Sequence, residues 1–178
     1  MEEIDAVNKK VPGVKVLKGT ECDILKDGSL DLSDEALSKL DVVGVSVHSY
    51  FNMPRRDMTE RIICAISNPH VDILFHPTGR ILGKRDAYEV DMEAVIKAAK
   101  KYNVVLEVNA LDRLDLKDEH IRLAVDAGAK LVIDSDAHAI SHLSFLHYGI
   151  AQARRGWAKK TDVINAWPLE KMLGFIKK

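Results

Sequence analysis

Cysteine is scarce in this chain. Cys22 and Cys64 stand alone in 178 residues, which argues against a disulfide framework and for a reducing cytoplasm. Charge of one sign is scarce too. The 26 Lys and Arg against 27 Asp and Glu leave a net −1, so nothing pulls the whole molecule toward nucleic acid or an anionic membrane, and any nucleic-acid contact needs a local basic patch. No run reaches the roughly 18 apolar residues of a membrane span. The N-terminus, Met1-Glu2-Glu3-Ile4-Asp5, is acidic and has no signal-peptide core. Low-complexity segments, linkers and fixed-period repeats are absent. What remains is 47% hydrophobic and 30% charged, a balance that buries a sizeable core. The length fits a single domain over residues 1–178.

The chain is organised around Leu131-Val132-Ile133-Asp134-Ser135-Asp136-Ala137-His138. It starts as the apolar run of a buried parallel strand and ends in carboxylates and an imidazole. On an extended backbone, Asp136 and His138 point to the same side. One oxygen and one nitrogen donor there suit Zn²⁺, Mn²⁺ or Fe²⁺; a plain strand end with an Asp helix cap fits these residues equally well.

The same event recurs upstream. Residues 2–9 read as the end of an amphipathic helix stopped by Pro12-Gly13. Strands are predicted at 14–19, 42–47, 71–75, 104–108 and 131–135. Helices are predicted at 34–39 (capped by Ser33), 58–67, 92–102 (capped by Asp91), from Asp115 to Ala127 with Gly128 at its end, at 141–155, and after Pro168. Residues 52–57 read as a loop. In the 141–155 helix, Leu143, Leu146 and Ile150 share a face. Strand–helix alternation indicates a parallel sheet in an α/β fold, with its polar strand ends on one rim. Five strands cannot close an eight-stranded barrel, so a smaller, distorted or incomplete barrel is expected.

The strand-end residues are Glu21, His48, His76, Asn109, and Asp136 with His138. Any one of these histidines alone reads as a surface or hydrogen-bonded core residue. Together, imidazoles and carboxylates at equivalent strand ends suit a polynuclear metal site that clamps a phosphate ester and activates water. Cys22, facing away from Glu21 on the same strand, is assigned to packing. Arg80, Lys84 and Arg85 follow His76 and suit either a phosphate backbone or a solvated loop. Asn109 suits substrate positioning or a strand end, and Asp134 suits either support of a ligand imidazole or a turn cap.

The segments Gly19-Thr20-Glu21, Ser46-Val47-His48-Ser49, His76-Pro77-Thr78-Gly79-Arg80 and Asp134-Ser135-Asp136-Ala137-His138 resemble the later metal-binding motifs of the PHP (polymerase and histidinol phosphatase) family. The His76–Arg85 loop and the Tyr148–Trp157 stretch resemble one branch in particular, the C-terminal PHP domain of bacterial and archaeal family X DNA polymerases. The likeness runs from about Glu3 to Phe175. The resemblance implies a distorted seven-stranded βα barrel with up to three divalent ions. It also implies ligand roles for Glu21 (bridging), His48, His76, Asp136 and His138, with Glu21 and Asp136 catalytic and Asn109, Arg80 and Arg85 near substrate.

The implied activity is metal-dependent 3′–5′ exonuclease and 3′-end phosphatase chemistry, with nucleic-acid 3′ ends or another phosphate ester as substrate and polymerase domains as partners. The chain departs from the family at its start. No histidine precedes Glu21, so the family's first His-x-His motif is missing. A truncated PHP domain of about five βα units is therefore expected, with weakened metal occupancy, little hydrolysis, and either self-association or a terminus covering the open side. Two other functions compete: a non-catalytic polymerase module, and a histidinol-phosphate-type small-molecule phosphatase.

Overall fold

Apolar runs without alternation need cover on both faces, and a helix after each strand supplies it. The computed structural model describes residues 1–176. Its elements are α1 (Glu2–Lys10), β1 (Gly19–Asp23), α2 (Asp34–Leu37), β2 (Val42–Ser46), α3 (Arg55–Ile66), β3 (Ile73–Leu74), α4 (Met92–Tyr102), β4 (Val105–Asn109), α5 (Asp118–Ala127), β5 (Leu131–Asp134), α6 (Leu146–Arg155) and α7 (Leu169–Ile176). Short 3₁₀ turns lie at Ile140–Phe145 and Ile164–Ala166. The strands form one sheet in the order β1-β2-β3-β4-β5, and every neighbouring pair is parallel. This is the expected α/β architecture, consistent with part of a TIM-like barrel. Glu21 pairs with Gly44 and Asn109 with Asp134, so the C-terminal ends of the strands share one rim. Among the described residues no helix is long and apolar enough to cross a membrane.

Each face of the sheet has its own apolar layer. On one face Val43, Val45, Leu74, Leu106 and Ile133 join Ile62, Ile66, Val95, Ile96 and Ile121 of the helices. On the other, Ile73, Val105 and Val132 meet Ile164 and Ile176, flanked by Trp167, Met172 and Leu173. The Asn103 side chain donates to the Phe175 carbonyl at 3.1 Å. That bond fixes α7 beside the start of β4, so the C-terminal helix covers the second face at its lower end.

Ser33, Asp91 and Gly128 close their helices as expected. Ser33 and Asp91 accept from the backbone N–H three residues on, and Gly128 takes φ 75°. Other boundaries differ from the sequence reading. β1 begins at Gly19 rather than Val14, because its one neighbour among the described residues, β2, begins opposite it at Val42. Residues 14–18 therefore have no ladder, and the Asn8 side chain pairs instead with both backbone groups of Val16. α3 starts at Arg55, directly after Pro54, whose fixed φ of −55° suits a helix entry. α5 starts at Asp118, because Asp115 is buried and accepts from the Thr78 N–H at 2.9 Å. The helix predicted at 141–155 is a 3₁₀ turn followed by α6. Its buried face is Gly149 and Ala153, while Leu143, Leu146 and Ile150 are exposed. The close approach explains this: a Cβ on Gly149 would lie 2.6 Å from Ile133 Cγ2.

Candidate metal centre

Side chains alternate along β1, so Glu21 and Asp23 face the rim while Cys22 is buried in the core. His48 lies two residues past β2 and His76 two residues past β3. The parallel register brings all three strand ends together. His48 Nε2 is 3.2 Å and His76 Nε2 is 2.9 Å from the same atom, Glu21 Oε1. One donor atom from each of Glu21, His48 and His76 lies within 4.8 Å of the other two.

Each of these groups is held from behind. His48 Nδ1 is 2.6 Å from Asp23 Oδ1. His76, only 2% exposed, donates its backbone N–H to Glu107 Oε2. Hydrogen bonds from His48 and then His76 hold the Glu21 carboxyl well below the usual carboxylate range. The reciprocal bond to Glu21, with help from Asp23, raises His48 to about 8. An imidazole placed between two carboxylates donates from both nitrogens, which favours its charged form.

The β4–β5 side is built otherwise. Asn109 is buried, and its Nδ2 donates to Asp136 Oδ2 at 3.1 Å and to Glu107 Oε1 at 3.2 Å. Arg113 Nε stands 3.7 Å from Asp136 Oδ2. Glu21, His76, Glu107, Asp134 and Asp136 all line one cavity of about 400 Å³, so Asp136 faces the same space as two members of the cluster. His138 does not lie in that lining. Asp136 has a left-handed φ of 44°, so the extended geometry predicted for Asp136–His138 is not formed. The His138 ring turns back on its own loop, with Nδ1 2.7 Å from the Asp136 carbonyl and its side chain 73% exposed. Asp134 serves the turn-cap role: its Oδ1 accepts from the Asp136 N–H at 3.3 Å.

The basic residues after His76 have structural partners. Arg80 donates to the carbonyls of Arg113 and Leu114 and ties two loops together. Arg85 donates to the Gly79 carbonyl at 2.7 Å and covers the Phe51 ring at 4.2 Å.

Three further residues take roles that the fold assigns. Glu107 is fully buried; burial, then the neighbouring Asp134 carboxylate, push its carboxyl well above the ordinary range. Burial raises Asp134 as well. A lone carboxylate inside the run Val104–Val108 was the signal available in the sequence. Asp23 orients His48. Arg61 is buried and donates to the carbonyls of Ile24, Leu25 and Ser49, pinning together the ends of β1 and β2. No local pattern marks it.

Two imidazole nitrogens and one carboxylate oxygen form a donor set suited to Zn²⁺, Mn²⁺ or Fe²⁺. Tetrahedral donors at ordinary bond lengths lie about 3.4 Å apart. Two separations within the cluster, 2.9 and 3.2 Å, are close to that spacing and all three donors lie within 4.8 Å of one another, so the side chains fit an ion once the protons between nitrogen and oxygen leave. When bound, a divalent ion lowers the pKa of water and neutralises phosphoryl charge.

No family model matches the chain. It is 44% identical over 178 residues to the DNA polymerase/3′-5′ exonuclease PolX of Bacillus subtilis, covering 99% of this chain and 31% of PolX. It is 38% identical over 141 residues to a probable phosphatase of Thermoanaerobacter sp. strain X514, covering 73% of this chain and 55% of that protein. A probable phosphatase of Shewanella sediminis is 30% identical over 178 residues, covering 94% of this chain and 70% of that protein. The chain thus spans less than a third of PolX and about half of the Thermoanaerobacter protein. It belongs to the family of these probable phosphatases, a PHP-like unit that is also related to the matched part of PolX.

Proposed function

We propose that the chain is a metal-dependent phosphoesterase unit acting on 3′ ends of nucleic acid, in the manner that the name of the PolX relative suggests. The observation that carries the proposal is the convergence of His48 Nε2 and His76 Nε2 on Glu21 Oε1. These three side chains hold a divalent ion. Before the ion binds, both histidines donate to Glu21 and keep it ionised; ion binding displaces those Nε2 protons, so that the two imidazole lone pairs and the carboxylate face the metal. Asp23 fixes the His48 ring, and Asn109 and Arg113 hold the Asp136 carboxylate toward the shared cavity. Asp136 and His138 add ligands from the β5 side, with His138 the weaker contributor because its ring must first leave its own loop. With three preformed donors rather than the larger family set, the chain hydrolyses slowly.

The phosphatase names of several relatives support a second reading, a small-molecule phosphatase built on the same side chains. Release of a 3′ nucleotide from a labelled oligonucleotide, measured beside p-nitrophenyl phosphate with Mn²⁺ or Zn²⁺ and with EDTA, separates the two. Slow release that requires the ion and is lost in Glu21→Gln is expected. No ion-dependent release, or release unchanged in Glu21→Gln, would overturn the proposal. Preference for p-nitrophenyl phosphate would favour the second reading.

A further inference from the structure

A cavity of about 910 Å³ opens on the rim, lined by Lys26, Tyr50, Phe51, Asn52 and Arg85 among others. It is larger than the space beside Glu21 and His76, and the metal centre does not account for it. Its walls come from three rim loops. Lys26 follows the end of β1, Tyr50 and Phe51 follow His48, and Arg85 lies on the loop after His76. Loops at the C-terminal ends of parallel strands are where α/β folds bind substrates.

Aromatic faces and cations alternate around this cavity. Lys26 Nζ lies 5.4 Å from the Tyr50 ring centroid, and the Arg85 guanidinium lies 4.2 Å from that of Phe51. Tyr50 takes a left-handed φ of 56° and is 58% exposed. A tyrosine rarely adopts that conformation, and the residue stays largely exposed although Lys26 and Arg61 both approach its ring, 5.4 and 6.0 Å from the centroid. Buried Arg61 donates to the carbonyls of Leu25 and Ser49, immediately before Lys26 and Tyr50, and so ties the two loops that carry them together. Asp57 and Asp86 also line the cavity, so the two cations are matched by two carboxylates. A lining without net charge suits a dianionic phosphomonoester poorly. It suits a ligand that offers a π-face, polar edges and a single phosphodiester charge.

We propose that this cavity binds a nucleotide of single-stranded nucleic acid, with the base stacked on Tyr50 and the adjoining phosphodiester at Lys26. Asn52 offers both a donor and an acceptor to the base edge. The pairing of base stacking with backbone cations is the general means of holding single strands without reading sequence. The inference rests on the phosphoesterase reading for its purpose, since it places a polymer beside the metal centre, but it makes a binding claim that needs no ion.

The test is fluorescence anisotropy with a labelled short oligothymidylate and with the abasic oligomer of the same length, both in EDTA. The protein is expected to bind the oligothymidylate more tightly. Tyr50→Ala is expected to weaken that binding about five- to a hundred-fold, the usual effect of losing one base–aromatic stack. It should leave the two oligomers equal, whereas Tyr50→Phe retains the preference. Lys26→Ala should weaken both oligomers alike and flatten the salt dependence. Trp157 is the control, because it also has a positive φ of 63° and pairs with Arg122 at 4.4 Å, yet stands outside the cavity lining. Trp157→Ala should bind as the unmodified protein does. Equal affinity for both oligomers, unchanged binding in Tyr50→Ala, or an equal loss in Trp157→Ala would overturn the proposal. Hydrolysis of bis(p-nitrophenyl) phosphate with Mn²⁺, run in parallel, reports on the phosphoesterase reading alone. Its absence alongside base-dependent binding would reject that reading and leave the nucleotide site standing.

Discussion

The two halves of the rim are held by different means. On the β1–β3 half, each donor is fixed by a residue of another strand or helix: His48 by Asp23, the His76 backbone by Glu107, and the strand ends by Arg61. On the β5 half, His138 is held by its own loop, through the Asp136 carbonyl and the His142 ring. Asp136 lies between these extremes, with its carboxylate anchored by Asn109 across the sheet. Donors close to a paired strand inherit their positions from the register. A donor on an unpaired loop takes the position that local turn geometry gives it, and the left-handed φ at Asp136 turns His138 away.

The largest expected effect breaks the better-held half. Arg61→Leu removes the guanidinium from three backbone carbonyls and leaves them without that partner. A loss of about 3 kcal/mol in urea unfolding is expected, since the buried Ile24 carbonyl loses its partner, at about 1–3 kcal/mol, and the charge-assisted bonds to the more exposed Leu25 and Ser49 carbonyls go with it. Next comes Gly44→Ala, opposite Glu21 in the sheet. A Cβ there would lie 1.9 Å from Phe75 Cε2, and such overpacking costs about 1–3 kcal/mol; an unshifted thermal midpoint would show that β2 and β3 are less tightly packed than described.

A pH series sharpens the contrast further. Without metal, the bond to Glu21 raises His48 from 6.5 to about 8. Its stabilisation is therefore complete below pH 6.5 and lost as pH rises through about 8. The Glu21 carboxyl is lowered from 4.5, so its contribution is complete above pH 4.5 and lost as pH falls below it. Both contributions are in full between those values, and Glu21→Gln should flatten both flanks of the stability profile measured in EDTA. The smallest effect belongs to the other half. Ile140→Ser, at a residue 90% exposed, should change unfolding stability by no more than about 0.5 kcal/mol. A larger loss would mean that the loop is packed against something in solution.

The sequence carried the architecture well, because buried parallel strands and amphipathic helices leave local patterns. Four of the five predicted runs overlap their strands, while the first meets β1 only at Gly19; the Glu21, His48 and His76 convergence followed from placing polar residues at one rim. Errors arose where position depends on a distant partner. Val14 and Val16 look like strand residues, but the ladder begins only where β2 can pair. Asp115 looks like a helix cap, yet the Thr78 N–H, 37 positions away, draws it inward. Arg61 acts on carbonyls 36 and 37 residues away as well as on Ser49, and nothing in its own segment indicates this. His138 illustrates the opposite limit: Asp-x-His predicts a shared side only on an extended backbone, and a single left-handed residue changes where the second side chain points.

The most direct measurement is titration calorimetry of the chain with Zn²⁺, comparing the unmodified protein with Glu21→Gln, His76→Ala and His138→Ala. Loss of a first-rank donor in the preformed cluster should weaken binding more than tenfold in each of the first two variants, and His138→Ala should have the smallest effect of the three. Binding that survives both Glu21→Gln and His76→Ala but is abolished by His138→Ala would contradict the central claim that the strand-held cluster is the metal centre.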